Sequence, residues 1–352
     1  MERGIGAAFL DQQEKTPLRP LYFLLPGTTK RYHCGGLWAE LKLLQLAQTV
    51  GTATLVTYRQ REPEHPFLSD VLAQPECPGI FVVSWGFHVP QLLARLRHYP
   101  VVYHAHSTGY RFRLPVGVPV VTVSRQSLGY WGQKAPYAPL HYLPNVLSDE
   151  FFDQGKPRDI DVLIMARKSS SYLLQRLAPQ LRKHCRVEVI DYFVPNLADL
   201  FNRTRIYLYD SAEYWAVQGV SEGFGLQPLE AMACGCRVFS SVNGGLADYL
   251  DPGFNCEQIG CYHSGYDIAK ILRALDAPNP PISSELFQEY RAPQVQKKLR
   301  NIWQAWDEFF DYQRQHPADI APLRGWRLWS QRLRRWGQRG INYCTELLKK
   351  SP

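Results

Sequence analysis

Residues 221–248, SEGFGLQPLEAMACGCRVFSSVNGGLAD, constrain this chain more than any other stretch. Gly223 and Gly225 open it, Pro228 follows at what the pattern predicts as a first helical turn, and Gly235 marks the stop. Glycine lets a backbone approach closely and take positive φ. Proline is tolerated at a helix start because its missing N–H would be unpaired there anyway, and glycine is a natural helix stop. The stretch therefore reads as a glycine loop feeding a short helix, then a strand at 237–241. Such a loop offers free N–H groups and the positive end of a helix dipole to an anion. Glu222 and Glu230 are acceptors and suit hydroxyls rather than phosphates. A ligand with a diphosphate in the middle and a polyol at each end would use every part, and a nucleotide sugar has that form. A lone glutamate here would read as an ordinary helix cap; the combination reads as a site.

The rest of the chain repeats one alternation. Short apolar, β-favouring runs fall at 21–26, 53–58, 79–84, 100–103, 119–124, 160–165, 186–191, 205–210 and 237–241. Between them lie helical patterns, among them Leu37, Leu41, Leu44 and Ala47, then 90–97, 172–183 and 267–276, with long helical stretches at 284–310. Strands alternating with helices predict parallel, doubly wound α/β sheets, with ligand residues just past strand C-terminal ends. The length of 352 residues suits two domains. Arg167 and Lys168 sit at such a strand end in a polar loop, where a planar fork and a point charge suit a diphosphate; a solvated basic loop is the alternative. His106 also follows a strand, where a structural histidine is the alternative. No GxGxxG follows the first strand. Residues 211–220 delay the glycine loop, and their Glu213, Tyr214 and Trp215 carry no spacing argument.

The 221–248 stretch closely resembles the donor-site signature of retaining GT-B glycosyltransferases of family 4, the glycosyl transferases group 1 type. Glu222, Gly223, Phe224, Gly225, Leu226, Pro228, Leu229, Glu230, Ala231, Met232, Ala233, Gly235, Gly244 and Gly245 all fit its pattern. The resemblance covers roughly 22–310 and is dense in the second half, diffuse in the first. It implies two Rossmann-like doubly wound domains facing a cleft: a leader at 1–19, an acceptor-side domain at 20–147, a polar linker at 148–157, a donor domain with crossover helices at 158–312, and a tail at 313–352. It also implies roles. Glu230 would hold the nucleotide ribose and Glu222 face the transferred sugar. Amides around Gly223, Phe224, Gly225 and Leu226 would meet sugar hydroxyls and phosphate. Gly35 and Gly36 would lie on the cleft near phosphates and acceptor. His106, in PVVYHAHSTG, would stand beside the reacting sugar, and Arg167 and Lys168 would face the pyrophosphate. Ser124-Arg125 and Pro144-Asn145 resemble further family landmarks. One departure is that Arg167 and Lys168 adjoin, whereas many members space this pair apart.

The implied reaction moves a hexosyl group from a nucleoside diphosphate sugar to an acceptor hydroxyl with retention, in polysaccharide, glycolipid or envelope glycan synthesis. The donor is a substrate, and no cofactor is expected. No Asp-x-Asp pair stands in a donor loop, so no metal is expected either. Two alternatives stay open: a GT-B epimerase, which needs no acceptor, and a non-catalytic nucleotide-sugar-binding scaffold.

The net charge is +8. Most of it comes from Arg324, Arg327, Arg332, Arg334, Arg335, Arg339, Lys349 and Lys350, opposed by Glu346 alone; the rest is nearly neutral, which argues against nucleic acid as a partner. Within this tail Trp326, Trp329, Leu333 and Trp336 share a helical face. That face could lie on an anionic membrane surface or pack on the N-terminal domain; Gly325, Gly337 and Gly340 weaken the helix. No apolar run is long enough to span a bilayer and the first residues lack a signal-peptide core. The expected location is cytoplasmic, with the inner membrane face as an option. The eight cysteines lack metal-ligand spacing and read as thiols of a reducing compartment.

Overall fold

The computed structural model describes residues 17–75, 79–84, 88–279, 282–321 and 325–349, with side chains through 339. Most of the leader, residues 85–87, and the tail residues Arg324 and Lys350 lie outside the described residues. The chain forms two compact units, 1–310 and 311–352.

The first unit contains two parallel sheets. The first takes β1 (Leu21–Leu25), β2 (Ala53–Thr57), β3 (Ile80–Val83), β4 (Val101–Ala105), β5 (Val120–Thr122) and β6 (Leu140–Tyr142) in the order β2-β1-β3-β4-β5-β6. The second takes β7 (Ile160–Met165), β8 (Val187–Ile190), β9 (Thr204–Tyr209), β10 (Arg237–Ser240) and β11 (Glu257–Gln258) in the order β11-β10-β9-β7-β8. All pairings are parallel. The strands are apolar nearly throughout because helices cover both faces. Strand β6 was not apparent in the sequence: it is three residues long, half-buried, and carries His141 in its centre. The strand order reverses between β1 and β3 and between β7 and β9. In open α/β sheets ligands bind at such reversals, and the loop after β7 carries Arg167 and Lys168.

The helices are α1 (Gly35–Gln48), α2 (Leu68–Leu72), α3 (Val89–Arg95), α4 (Arg125–Lys134), α5 (Ala178–Leu181), α6 (Leu197–Asn202), α7 (Ala212–Gln218), α8 (Leu226–Ala233), α9 (Ser264–Asp276), α10 (Glu285–Gln288), α11 (Ala292–Gln315) and α12 (Gly325–Lys349). The expected helix at 172–183 begins as a π-helical turn, Tyr172–Leu177, before α5. The turn at Gly244 opens a 3₁₀ helix, Gly244–Asp248.

Helix α11 follows the second sheet in sequence but completes the core of the first. Its Val295, Leu299, Ile302, Trp303, Trp306 and Phe310 pack with Leu21, Phe23, Leu37 and Leu44. Trp303 Nε1 donates to the Arg19 carbonyl at 2.9 Å. The segment read as a polar linker is anchored at its start. Phe151 is buried in the core beneath the second sheet, and Arg291 donates to the carbonyls of Ser148 and Phe151 at 2.6 and 2.7 Å.

Candidate active site

The two sheets meet along the loop after β4 and the glycine loop before α8. Ser107 Oγ donates to the Ser221 carbonyl at 2.6 Å, and Thr108 Oγ1 to Ser221 Oγ at 2.8 Å. The Ser221 N–H returns a bond to the Thr108 carbonyl at 3.3 Å. The contact explains Gly223 differently from the sequence. A Cβ built there would lie 1.5 Å from the His106 carbonyl oxygen, so the opposite wall already fills the space its missing side chain leaves. Gly225 has φ +76 at the N-cap of α8, a conformation suited to glycine. Gly245 N–H donates to the Glu222 carbonyl at 2.8 Å, packing the Gly-Gly pair behind the loop.

Glu222 is 4% exposed, and its carboxylate is held from three sides. Tyr209 Oη at the end of β9 donates at 2.5 Å and Trp215 Nε1 of α7 at 2.7 Å, both to Oε2. Lys168 Nζ lies 3.5 Å from Oε1 and 4.6 Å from the centre of the Trp215 ring. Lys168 has φ +71, the one non-glycine positive φ among the described residues, a conformation that costs an L-residue about 1 kcal/mol. Helix α7 is pinned over this loop by Glu213, which accepts from Ser171 N and Oγ at 2.7 and 2.8 Å. Arg167 is exposed and makes no hydrogen bond or ion pair with a described residue. The adjoining basic residues are thus not equivalent: one is engaged with Glu222 and the other is free.

Glu230 lies on the second turn of α8, 6% exposed, and its carboxylate has no hydrogen-bond partner among the described residues. Burial pushes its pKa up to about 7, with Lys42 pulling down and Glu150 pushing up more weakly. A largely buried carboxylate without protein donors is a costly arrangement.

The opposite wall joins His106, expected from the sequence, to Glu40 and His104, which sequence reasoning missed. Glu40 of α1 is buried, and its Oε1 lies 2.5 Å from His104 Nδ1 and 2.6 Å from His106 Nε2. Burial opposes ionisation of Glu40, but His104 and His106 beside it outweigh this and hold its pKa down at about 2. Burial, and then His104, lower the pKa of His106 against the pull of Glu40. An ionised Glu40 accepts from both rings, and the lowered pKa of His106 favours its neutral form. A neutral His106 then carries its proton on Nε2, and Nδ1, without a partner among the described residues, presents a lone pair. His104 is buried at 3% and its Nε2 faces no partner. Of the two histidines, His106 is the more accessible, with its side chain 10% exposed. These three side chains are also the group of metal-type donors among the described residues, with ligand atoms within 4.8 Å of one another. Their spacing is that of hydrogen bonds; two ligands on a tetrahedral ion at about 2.05 Å would stand about 3.3 Å apart.

Gly35 and Gly36 open α1, and a Cβ on Gly35 would meet nothing within 4 Å. The only signal that could have singled out Glu40 is a carboxylate on an otherwise apolar helix face.

Residues 155–277 match the family model described as Glycosyl transferases group 1. This segment resembles a group 1 glycosyltransferase domain. The group 1 domain includes Arg167, Lys168, Glu222 and Glu230. Solved structures show the same architecture across both sheets. Anabaena HepE in complex with UDP and glucose aligns at TM-score 0.60 with 14% identity, covering 82% of this chain and 100% of that one. A glycosyltransferase from Rickettsia africae aligns at 0.57 with 10% identity, covering 83% and 99%. Sucrose-phosphate synthase from Thermosynechococcus elongatus aligns at 0.52 with 14% identity, covering 84% and 98%. The group 1 domain and the sheet facing it thus form the GT-B fold that the sequence led us to expect. A search of curated proteins gives no match.

Proposed function

We propose that the protein transfers a hexosyl group from a nucleoside diphosphate sugar to an acceptor hydroxyl with retention of anomeric configuration, in polysaccharide, glycolipid or envelope glycan synthesis at the cytoplasmic side of a membrane. The observation that carries this reading is Glu230. It is a buried carboxylate with no donor of its own, behind the glycine loop of a group 1 domain. A ribose diol supplies two hydroxyl donors and satisfies it. The diphosphate lies against the N–H groups of Gly223, Phe224, Gly225 and Leu226 and the guanidinium of Arg167. Lys168 bridges Glu222 and the leaving group. HepE, solved in complex with UDP and glucose, shares the fold that would present such a ligand.

Negative charge develops on the diphosphate as the glycosidic bond breaks, and preorganised donors there supply the largest part of catalysis. Arg167 and Lys168 carry that charge without a cofactor or metal ion. Glu222, held by Tyr209, Trp215 and Lys168, orients the sugar rather than attacking it. His106 Nδ1 accepts from a sugar hydroxyl at the cleft. Gly35 and Gly36 leave room for the acceptor at the start of α1. Retention follows from acceptor attack on the leaving-group face.

Calorimetric titration of UDP, GDP and ADP into the wild type and Glu230→Ala, without added metal, tests the reading. One nucleotide should bind, and the variant should lose it. Nucleotide binding that Glu230→Ala leaves intact, or none in the wild type, removes the donor site. Product formation without acceptor would instead establish an epimerase.

A further inference from the structure

We propose that α12 docks flat on an anionic lipid surface, with Trp326, Trp329, Leu333 and Trp336 seated at the boundary of headgroups and acyl chains. This inference goes beyond sugar transfer and stands or falls independently of the donor site.

At ~100° per residue, those four side chains fall within an arc of roughly 80°. Arg332 and Arg339 border the stripe on one side, while Arg334, Arg327 and Arg335 occupy the far face. Between 325 and 339 there are five arginines and no acidic residue. Within its own unit the apolar stripe is uncovered: Trp326 is 69%, Trp329 64%, Leu333 43% and Trp336 69% exposed. In the first unit Trp131, Trp303 and Trp306 are buried, Trp215 is half-buried, and Trp38 is 45% exposed, so no three described tryptophans there share one open stripe. Three tryptophans held in water on one stripe are an unfavourable surface unless something covers it.

Charge and chemistry decide what covers it. A second copy would bring two sets of five arginines together, and like charges repel. Single-stranded nucleic acid is bound along grooves with successive stacking planes, which one narrow stripe does not offer. An anionic bilayer satisfies both faces. Indole rings favour the interfacial depth, and arginines on the flanks reach phosphates while their stems lie along the apolar layer. No described helix is long and apolar enough to cross a membrane, and five arginines keep this one in the interface. The nearly neutral remainder of the chain leaves the attraction local to the tail.

The test uses the full chain with vesicles of phosphatidylcholine alone and of phosphatidylcholine with about 30% phosphatidylglycerol, an anionic surface. The wild type should sediment with the anionic vesicles, at least tenfold more weakly with the neutral ones, and its tryptophan emission should shift to the blue. Each basic residue at such a surface is worth about fivefold, so Arg332→Gln/Arg334→Gln/Arg335→Gln/Arg339→Gln should abolish the preference. Trp326→Gln/Trp329→Gln/Trp336→Gln keeps helix-compatible residues. It should lose vesicle binding and the blue shift while retaining nucleotide binding. Three results overturn the proposal: no partition onto anionic vesicles, partition that the tryptophan variant leaves unchanged, or a lipid-free dimer or RNA complex that consumes the same stripe and excludes vesicles.

Discussion

Glu222 and Glu230 stand eight residues apart and are almost equally hidden, yet their surroundings are opposites. Glu222 receives hydrogen bonds from Tyr209 and Trp215 and the charge of Lys168. Glu230 receives no hydrogen bond from a described residue, Lys42 pulls on it only weakly, and burial lifts its pKa to about 7. Burial alone therefore does not say what a carboxylate is for; the donors around it do. A carboxylate with its donors supplied is a fixed part of the frame. One left without donors is a place where a ligand must bring them. Helix α7 makes the difference, because Trp215 reaches Glu222 and no comparable insert reaches Glu230.

The sharpest way to break this contrast is at Gly223. Gly223→Ala places a methyl against the His106 carbonyl and forces the two walls apart. Sugar transfer should fall at least a hundredfold, while nucleotide affinity at Glu230 falls much less; comparing kcat with calorimetric Kd reads both. Next comes Glu230 itself. Glu230→Ala should weaken nucleotide binding by about tenfold to a hundredfold, the value of hydrogen bonds to a charged group. In the wild type the affinity should rise about tenfold from pH 6 to pH 8 as Glu230 ionises, relative to a flatter profile in Glu230→Gln.

The same shift has a stability counterpart. The folded-state pKa of Glu230 is raised, so the folded form holds its proton longer than the unfolded chain. Ligand-free stability is greatest below pH 4.5 with respect to this group and is lost between 4.5 and about 7, amounting to about 3 kcal/mol. Glu230→Gln should therefore raise Tm at pH 8 and change it little at pH 4.

Smaller effects test the held side. Trp215→Phe keeps the ring beside Lys168 but removes the donor to Glu222. Turnover should drop by about tenfold, in line with one lost charge-assisted hydrogen bond, with nucleotide affinity unchanged. His106→Ala should likewise lower kcat more than donor affinity. Equal losses of nucleotide affinity in His106→Ala and Glu230→Ala would erase the distinction drawn above.

The fold was legible because its signals are local. Apolar runs between helical patterns gave parallel sheets, and the 221–248 stretch announced its loop and helix in the placement of Gly225, Pro228 and Gly235. Spacing also gave the tail helix, despite its glycines. What stayed hidden depends on residues distant in sequence. Glu40 is 64 positions from His104, and nothing near it suggests a partner. Trp215 looks like any aromatic on a short insert until folding turns its N–H toward Glu222. The glycine at 223 was visible, but the reason for it was not, since the atom that requires it belongs to His106 on the other sheet. Strand β6 escaped because a short, half-buried strand lacks the apolar run that marks the others.

Helix α11 has a consequence for the order in which the molecule is made. A ribosome releases the first sheet early, but that sheet lacks one wall until Val295, Leu299, Trp303, Trp306 and Phe310 have been synthesised. The newborn N-terminal half must wait with an apolar face open. The second sheet draws on residues that are all available sooner and can close first. A polypeptide stopped before residue 292 should therefore lose the half that was made first.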